Sequence, residues 1–455
     1  MTKYLLYTLL VILGMSCKNQ TQSDKDAIYF GGEVINPSSN YITLKKGEKL
    51  IDTLFLDKEN KFIEKYTNLD EGLYTFYHGS ELQYVFFEKS DSIMVNLNTL
   101  DFDESLVYSG NGADKNEYLT NLFLENEKDD YFFRTHYNLS SEEFKDKVIL
   151  LKELREVKLE EFLLEHPETS NAYINIAKTA INYPLYKRME YYPLAHKKIT
   201  KSKSFPKLNK DFYDYREDTN LNDSTLIGYY AYTDYIINFL YNQSFCNLKA
   251  KNDSTCSVRL CFFKSVDENI QLKSFKNKLL MGNIIHNLIQ DNKDDLDVLN
   301  MFLKISTNKN DIKNVKRLIS DKESLKKKQV LEDFEIISGD GTKTSLFKVA
   351  NNKKTILYFW SDRYVKPEYL STRIQYLSKK HPDISFIGIH TNKENTIHDT
   401  TLNHYFLTNS SAGHKYNTSG FPRTILLSED GVVINSYTNI TDNKFTSHLK
   451  AFQNN

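Results

Sequence analysis

The sequence predicts a multidomain protein of mixed α+β and α/β class, with a β-sandwich-like domain first, a helical middle and an α/β end. Two changes of hydrophobic period along its 455 residues carry that reading. Short apolar runs with period-two alternation give way to three- and four-residue spacing, and that in turn to buried-strand runs separated by a helix. The length agrees, since 455 residues make about two to three domains at roughly 100–200 residues each. With 31 Tyr and 28 Phe there is aromatic volume for several cores, while 16 Gly and 8 Pro exclude a collagenous or Pro/Gly-rich disordered chain. Lys+Arg at 59 against Asp+Glu at 60 leaves a net charge of -1, without the basic excess of a nucleic-acid binder. A mean hydropathy of -0.53 excludes a multispanning membrane protein.

The first segment reads as targeting. Lys3 supplies a short positive region, and the apolar run 4–13 has the length of a signal-peptide core, far short of the roughly 20 residues that span a bilayer. The run ends Gly14-Met15-Ser16-Cys17, small residues leading into a cysteine. This resembles the lipobox of bacterial lipoproteins, although Gly14 stands where Leu is commoner. The resemblance implies lipidation of Cys17 and a membrane held through an N-terminal lipid anchor. An ordinary cleaved signal with an incidental cysteine is the alternative. Lys18, rather than Asp, follows Cys17; by the same resemblance to Gram-negative lipoproteins this favours the outer membrane of the cell envelope. The expected divisions are a signal at 1–17, a polar tether at 18–26, a β-rich domain at 27–110, a helical domain at 111–328 and a last domain at 329–455.

In 27–110, seven short β-branched and aromatic runs are separated by polar turns such as Asp57-Lys58-Glu59-Asn60. Even spacing of this kind predicts a small antiparallel sandwich. Helical spacing takes over after Ser140-Ser141-Glu142-Glu143, a capping box followed by Phe144, Val148, Leu151, Leu154, Val157 and Phe162. Further helices are predicted over 172–182, 224–241, 274–290 and 296–304. The tyrosines of 183–192 and 229–241 suit helix packing, with a glycan- or peptide-binding stripe as the alternative. The basic run 309–328 suits a solvated helix face or a linker. Cys246, Cys256 and Cys261 lie close together. In an oxidising envelope two of them can pair, and a disulfide between Cys246 and Cys256 is the preferred reading.

After residue 330 come a hairpin turning at Asp340-Gly341, a buried strand at 355–360, an amphipathic helix at 364–380 and a second buried strand at 384–390. A hairpin with its turn at Glu429-Asp430-Gly431 follows. In this order, Asp333-Phe334, Gly341, Leu346, Lys354, Phe359-Trp360, Gly420-Phe421-Pro422-Arg423-Thr424 and Asp430-Gly431 resemble the thioredoxin-like fold of the TlpA/ResA family. A small β domain and helical middle before it suit that family too. The resemblance implies that Pro422 stands at the family's cis-proline, and that Trp360, Arg363, Tyr364, Phe421 and Pro422 surround a groove for an extended peptide or protein partner.

The family's chemistry does not carry over. Its helix opens with two cysteines in a CxxC motif, the first attacking a disulfide as thiolate and the second resolving the mixed disulfide. Here the loop reads Trp360-Ser361-Asp362-Arg363-Tyr364-Val365-Lys366-Pro367, which puts Tyr364 and Pro367 at those positions, and no cysteine follows Cys261. A phenol with a pKa of about 10 cannot take that role, and proline carries no nucleophile. His390, His398, His404 and His414 read as scattered surface histidines, since no HExxH or GxSxG spacing accompanies them. No metal and no cofactor is expected. The expectation is a redox-inactive, envelope-anchored binding protein. Its alternatives are a thiol-disulfide oxidoreductase working through the middle cysteines, and a glycan- or peptide-binding uptake lipoprotein.

Overall fold

The computed structural model describes residues 26–79, 81–251, 257–287, 295–391 and 404–442, together with Phe445, Thr446, Leu449 and Phe452. Cys17, Cys256, His398 and the side chain of Cys246 lie outside the described residues. The chain forms two compact units, Met1–Asn242 and Gln243–Asn455. Among the described residues, no helix is long and apolar enough to cross a membrane.

The first unit begins with strands β1 (Ile28–Ile35), β2 (Tyr41–Lys46), β3 (Lys49–Phe55), β4 (Lys61–Tyr66), β5 (Gly72–His78), β6 (Glu81–Phe87) and β7 (Ser92–Asn98). These are the seven β-branched and aromatic runs predicted as strands. A short helix α1 (Phe102–Ser105) and an eighth strand β8 (Val107–Asn111) complete two four-stranded sheets, ordered β4-β1-β7-β8 and β3-β2-β5-β6. The sheets share one core, in which Phe30 meets Phe62, Phe76 and Phe87 at ring-centroid distances of 5.3, 5.7 and 5.3 Å. The sandwich is not wholly antiparallel, because β1 and β7 pair in parallel. Strands so far apart in sequence need no tight turn, so local alternation carried no sign of their direction. The β3–β4 turn is held by Asp57, whose Oδ1 accepts from the backbone N–H of Glu59 and Lys61 at 2.9 Å each.

Asp103 of α1 accepts a bond from the buried Gln83 amide at 3.0 Å. Burial first, then nearby carboxylates led by Glu127, pushes its pKa up to about 6 from 3.8. A carboxyl raised on folding favours the native state when protonated, so stability falls as pH rises from about 4 to about 6. Asp103→Asn keeps the acceptor and abolishes that slope. The variant is expected to match the parent in urea unfolding at pH 4 and to exceed it by about 1 kcal/mol at pH 7, after discounting for partial exposure. An equal difference at both pH values would refute the assignment.

Four helices follow: α2 (Ala113–His136), α3 (Ser141–Glu165), α4 (Asn171–Ile199) and α5 (Tyr230–Lys251), with a 3₁₀ segment Lys210–Asp218 between the last two. The Ser140 capping box is present at the start of α3. Helix α4 runs 17 residues past the predicted end at 182, straight through Pro184. Proline at 184 cannot donate to the Ala180 carbonyl; the Asn126 side-chain amide of α2 lies 3.3 Å from that oxygen and occupies it instead. Tyr183, Tyr186, Tyr192, Tyr229, Tyr232 and Tyr235 are all buried, so the tyrosine stripes are packing. Tyr183 meets Tyr235 edge-on at 5.0 Å, and Tyr186 stacks on Tyr215 at 4.5 Å.

In the second unit, helices α6 (Val258–Asn269), α7 (Lys273–Asn287), α8 (Asp295–Ile305) and α9 (Lys309–Ser324) precede a seven-stranded sheet. Cys261 is buried on α6, 4% exposed. The basic helix α9 is not solvated all round, since Val315, Leu318 and Asp321 are buried. The sheet is built from β9 (Glu335–Ser338), β10 (Lys343–Ser345), β11 (Lys354–Trp360), β12 (Ile384–His390), β13 (His404–Leu407), β14 (Arg423–Leu427) and β15 (Val433–Thr438). Its order is β10-β9-β13-β12-β11-β14-β15. A short helix α10 (Leu346–Ala350) precedes β11, and α11 (Pro367–Lys380) connects β11 to the parallel β12. Strand β14 pairs antiparallel with β11 and forms the terminal hairpin with β15. Parallel strand, helix, parallel strand and antiparallel hairpin are the arrangement that a thioredoxin-like fold requires.

Strand β11 is buried on both faces, as a near-continuous apolar run predicts for a central strand. Leu357 and Phe359 face one core, and Ile356, Tyr358 and Trp360 face the other, beneath α11. Gly388 lets Tyr358 lie across β12, because a Cβ there would come within 2.5 Å of the phenol ring. Strand β13, four residues long and headed by a histidine, carried no alternation by which to find it.

Candidate functional site

The loop between β11 and α11 is where the resemblance places chemistry. It is a compact turn in which the Ser361 carbonyl accepts from the N–H groups of Tyr364 and Val365 at 3.0 and 3.1 Å. Pro367 is the first residue of α11 and Lys366 its N-cap, without a capping side chain. The helix therefore starts three residues later than predicted. Proline suits that first position, since its missing N–H has no helical partner to lose.

Tyr364 and Pro367, which the resemblance sets against the family's two cysteines, are thus a phenol just ahead of the helix and a proline at its first residue. Tyr364 is half-buried against Phe421, ring centroids 5.3 Å apart. Burial raises its pKa, opposed by the Arg363 guanidinium, which lies 5.5 Å from the ring centre. Burial raises the pKa of the Asp311 carboxyl of α9, and the Arg363 guanidinium opposes that rise only in part.

The five predicted binding residues separate into two groups. Arg363 and Tyr364 are at least partly accessible, whereas Trp360, Phe421 and Pro422 are buried, Trp360 to 2% and Phe421 to 1% exposure. Among the described residues there is no cis peptide bond, so the bond preceding Pro422 is trans. Tyr364 packs over Phe421 and covers it on the side of that loop.

Trp360 turns beneath the loop and packs on two imidazoles, His390 and His404, each with its ring centroid 4.6 Å away. These histidines were expected at the surface. They are buried, at 3% and 6% exposure, because both begin or end strands in the middle of the sheet. His414 is exposed, as expected. His166 and His381 are the C-caps of α3 and α11.

The Asp362–His390 pair is a feature that sequence reading missed. His390 Nε2 lies 2.9 Å from Asp362 Oδ1, while its buried Nδ1 has no partner among the described residues. Twenty-eight positions separate the two residues, and only the parallel register of β11 and β12 brings them together. Arg423 was missed as well. It is 1% exposed and donates through Nη1 to the Tyr416 carbonyl and through Nε, at 3.0 Å, to the Ser436 carbonyl, leaving Nη2 unpartnered among the described residues. Burial lowers its pKa from the ordinary guanidinium value.

Beside this loop is a groove of about 1200 Å³. Its walls come from the β9–β10 hairpin at 337–343, the turn 408–410 and the segment 417–420, with Phe359 and His390 at the base. Asp321 of α9 holds the last wall, accepting from the N–H groups of Thr418 and Ser419 at 2.9 Å each and from the Thr418 hydroxyl at 2.6 Å. The charged lining is Arg317 and Lys343, with no carboxylate among the lining residues. No group of three or more His, Cys, Asp and Glu among the described residues could hold a metal ion.

No family model and no curated protein matches this chain. Solved structures resemble part of it. The thioredoxin domain of a thiol-disulfide oxidoreductase from Bacteroides vulgatus is 18% identical, covering 28% of this chain and 98% of that one, with a TM-score of 0.23. A thiol:disulfide interchange protein from Bacteroides sp. is 17% identical, covering 29% of this chain and 93% of that one, with a TM-score of 0.22. At these scores the likeness carries no weight of its own, and the thioredoxin-like assignment of the last strands rests on their order and on the helix that joins β11 to β12.

Proposed function

We propose that this is an envelope lipoprotein, anchored through Cys17, whose thioredoxin-like domain binds a peptide or protein partner without dithiol chemistry. The observation that carries the reading is the pair Tyr364 and Pro367 at the start of α11, where a nucleophile and its resolving partner would have to stand. A tyrosine packed on Phe421 holds the loop in shape and performs no exchange. The binding surface is the groove alongside, bounded by segment 417–420, rather than the buried Pro422 itself. Extended segments dock in such places through backbone hydrogen bonds, with side-chain pockets giving selectivity. Arg317 and Lys343, unopposed by carboxylates in the lining, favour a segment that carries acidic residues.

The test is a selection from a displayed random-peptide library on the full chain, beside an insulin-reduction assay. Acidic peptides are expected to be enriched, and Asn409→Trp, at an exposed position lining the groove, is expected to lose them by tenfold or more, about 1.4 kcal/mol. Insulin reduction that disappears when Cys246, Cys256 and Cys261 are replaced by serine would overturn the reading and move the chemistry to the middle cysteines.

A further inference from the structure

The first unit contains a second cavity, which the tyrosine packing described above does not fill. It measures about 770 Å³, within the roughly 300–1,000 Å³ typical of ligand pockets. Three elements enclose it. Strands β5 and β6 contribute Thr75 and Tyr84, helix α4 contributes one face, and the segment 218–229 closes the third side. The α4 face is built from Ala172, Asn175, Ile176, Thr179, Asn182 and Tyr183, at the three- and four-residue spacing that points side chains in one direction, with Lys178 at its margin. The closing segment is anchored by Leu226 and Tyr229, which are buried. Gly228 at φ +97° and Gly47 at φ +58° meet beside it, where an added Cβ on Gly228 would lie 3.8 Å from Gly47 Cα.

The lining mixes apolar and polar groups and is nearly balanced in charge, with Lys46 and Lys178 against Glu71, Asp218 and Asp223. Several of these polar groups are already engaged. The Lys46 ammonium donates to the carbonyls of Asp70 and Glu71 at 3.4 and 3.1 Å. The Tyr84 hydroxyl donates to the Gly228 carbonyl and accepts from Tyr230 N–H, both at 3.0 Å. Asp223 Oδ1 accepts from the Thr225 N–H and hydroxyl at 2.9 and 2.6 Å. One acceptor is left over. Asn182 Oδ1 is buried and has no partner among the described residues, and a buried carbonyl without a donor carries a free-energy cost. That cost is relieved by a ligand that brings a hydroxyl or amide N–H into the cavity. Balanced charge disfavours an ion, and the hydroxyls and amides of Thr75, Asn175, Thr179 and Asn182 disfavour a purely apolar guest.

We infer that this cavity binds a neutral polyhydroxylated ligand, a short oligosaccharide, with a sugar hydroxyl donating to Asn182 Oδ1. The site is independent of the groove in the second unit. Aromatic edges at Tyr84 and Tyr183 provide apolar contact for the carbon faces of the ring, while the surrounding amides and hydroxyls take its hydroxyls. The test is calorimetric titration of the full chain with maltotriose, cellotriose and triacetylchitotriose, and with trialanine as a neutral peptide of similar size. At least one trisaccharide is expected to bind. Asn182→Leu, which removes no hydrogen bond between described residues, is expected to weaken it at least tenfold while leaving the thermal transition in place. Asn175→Trp, at an exposed position on the lining face, is expected to abolish binding by filling the cavity. Binding of none of the three sugars, trialanine binding in their place, or saccharide binding indifferent to both variants would each overturn the proposal.

Discussion

Replacing Tyr364 and Pro367 together with cysteine is expected to confer disulfide reduction on a loop that carries no thiol of its own. The substituted thiols would stand three residues apart, one just before α11 and one at its first turn. The first would feel the unpaired N–H groups at the helix start, and Lys366 lies between the two. Both effects favour thiolate and draw a thiol's pKa below its usual value of about 8.5. Loss of Pro367 costs the helix little, because the first position needs no hydrogen-bond partner and tolerates most residues. Removing the Tyr364 ring also uncovers Phe421, opening the approach a substrate disulfide needs. Insulin reduction by the double variant should rise about tenfold or more above the parent. Tyr364→Cys alone should instead accumulate a mixed disulfide, lacking a second thiol to resolve it. If the two cysteines form no disulfide under oxidation and give no turnover, the loop is not shaped as a thioredoxin-like redox loop, and the lineage of the domain must be reconsidered.

The second large effect concerns stability of the first unit. The Glu190 carboxylate is fully buried and receives Arg216 Nε at 2.8 Å, Arg216 Nη2 at 2.6 Å, the Tyr215 hydroxyl at 2.8 Å and the Asn242 amide at 2.7 Å. Arg216 also covers the rings of Tyr213 and Phe239, its guanidinium carbon 3.8 and 5.0 Å from their centres. Arg216→Ala leaves a carboxylate inside the protein with its counter-charge gone, and it is expected to destabilise by about 3–5 kcal/mol. Replacing the pair together, Glu190→Leu with Arg216→Met, removes the stranded charge and should recover most of that loss, because desolvation of both ions no longer has to be offset. Denaturant unfolding of the parent, the single variant and the double variant decides it. A double variant no better than Arg216→Ala would mean that the loss comes from the packing of Arg216 on its aromatic neighbours rather than from the uncompensated charge.

Local features of this chain were legible because their causes are local. Short β-branched and aromatic runs between polar turns placed the seven strands of the sandwich, Ser140 and Glu143 placed the start of α3, and the Asp340-Gly341 and Asp430-Gly431 turns placed two hairpins. That no cysteine follows Cys261, so that neither position 364 nor position 367 carries a thiol, was legible without any coordinates. The helix predicted to end at 182 instead runs on through Pro184, and the reason is nonlocal. The carbonyl that proline would orphan is occupied by Asn126, 54 residues away.

Composition and period by themselves determined the mixed fold class, the two changes of periodicity, and the absence of a dithiol pair from the loop before α11. Tertiary structure alone decided that β1 and β7 run parallel, that Trp360, Phe421 and Pro422 are covered, and that His390 and His404 are interior. It also brought Asp362 to His390 and left Asn182 facing a cavity. The division has one physical cause. Propensities, turns and caps act over a few residues and are written in consecutive positions. Burial and pairing depend on which distant segments meet, and a side chain's own residue type does not state what will lie against it.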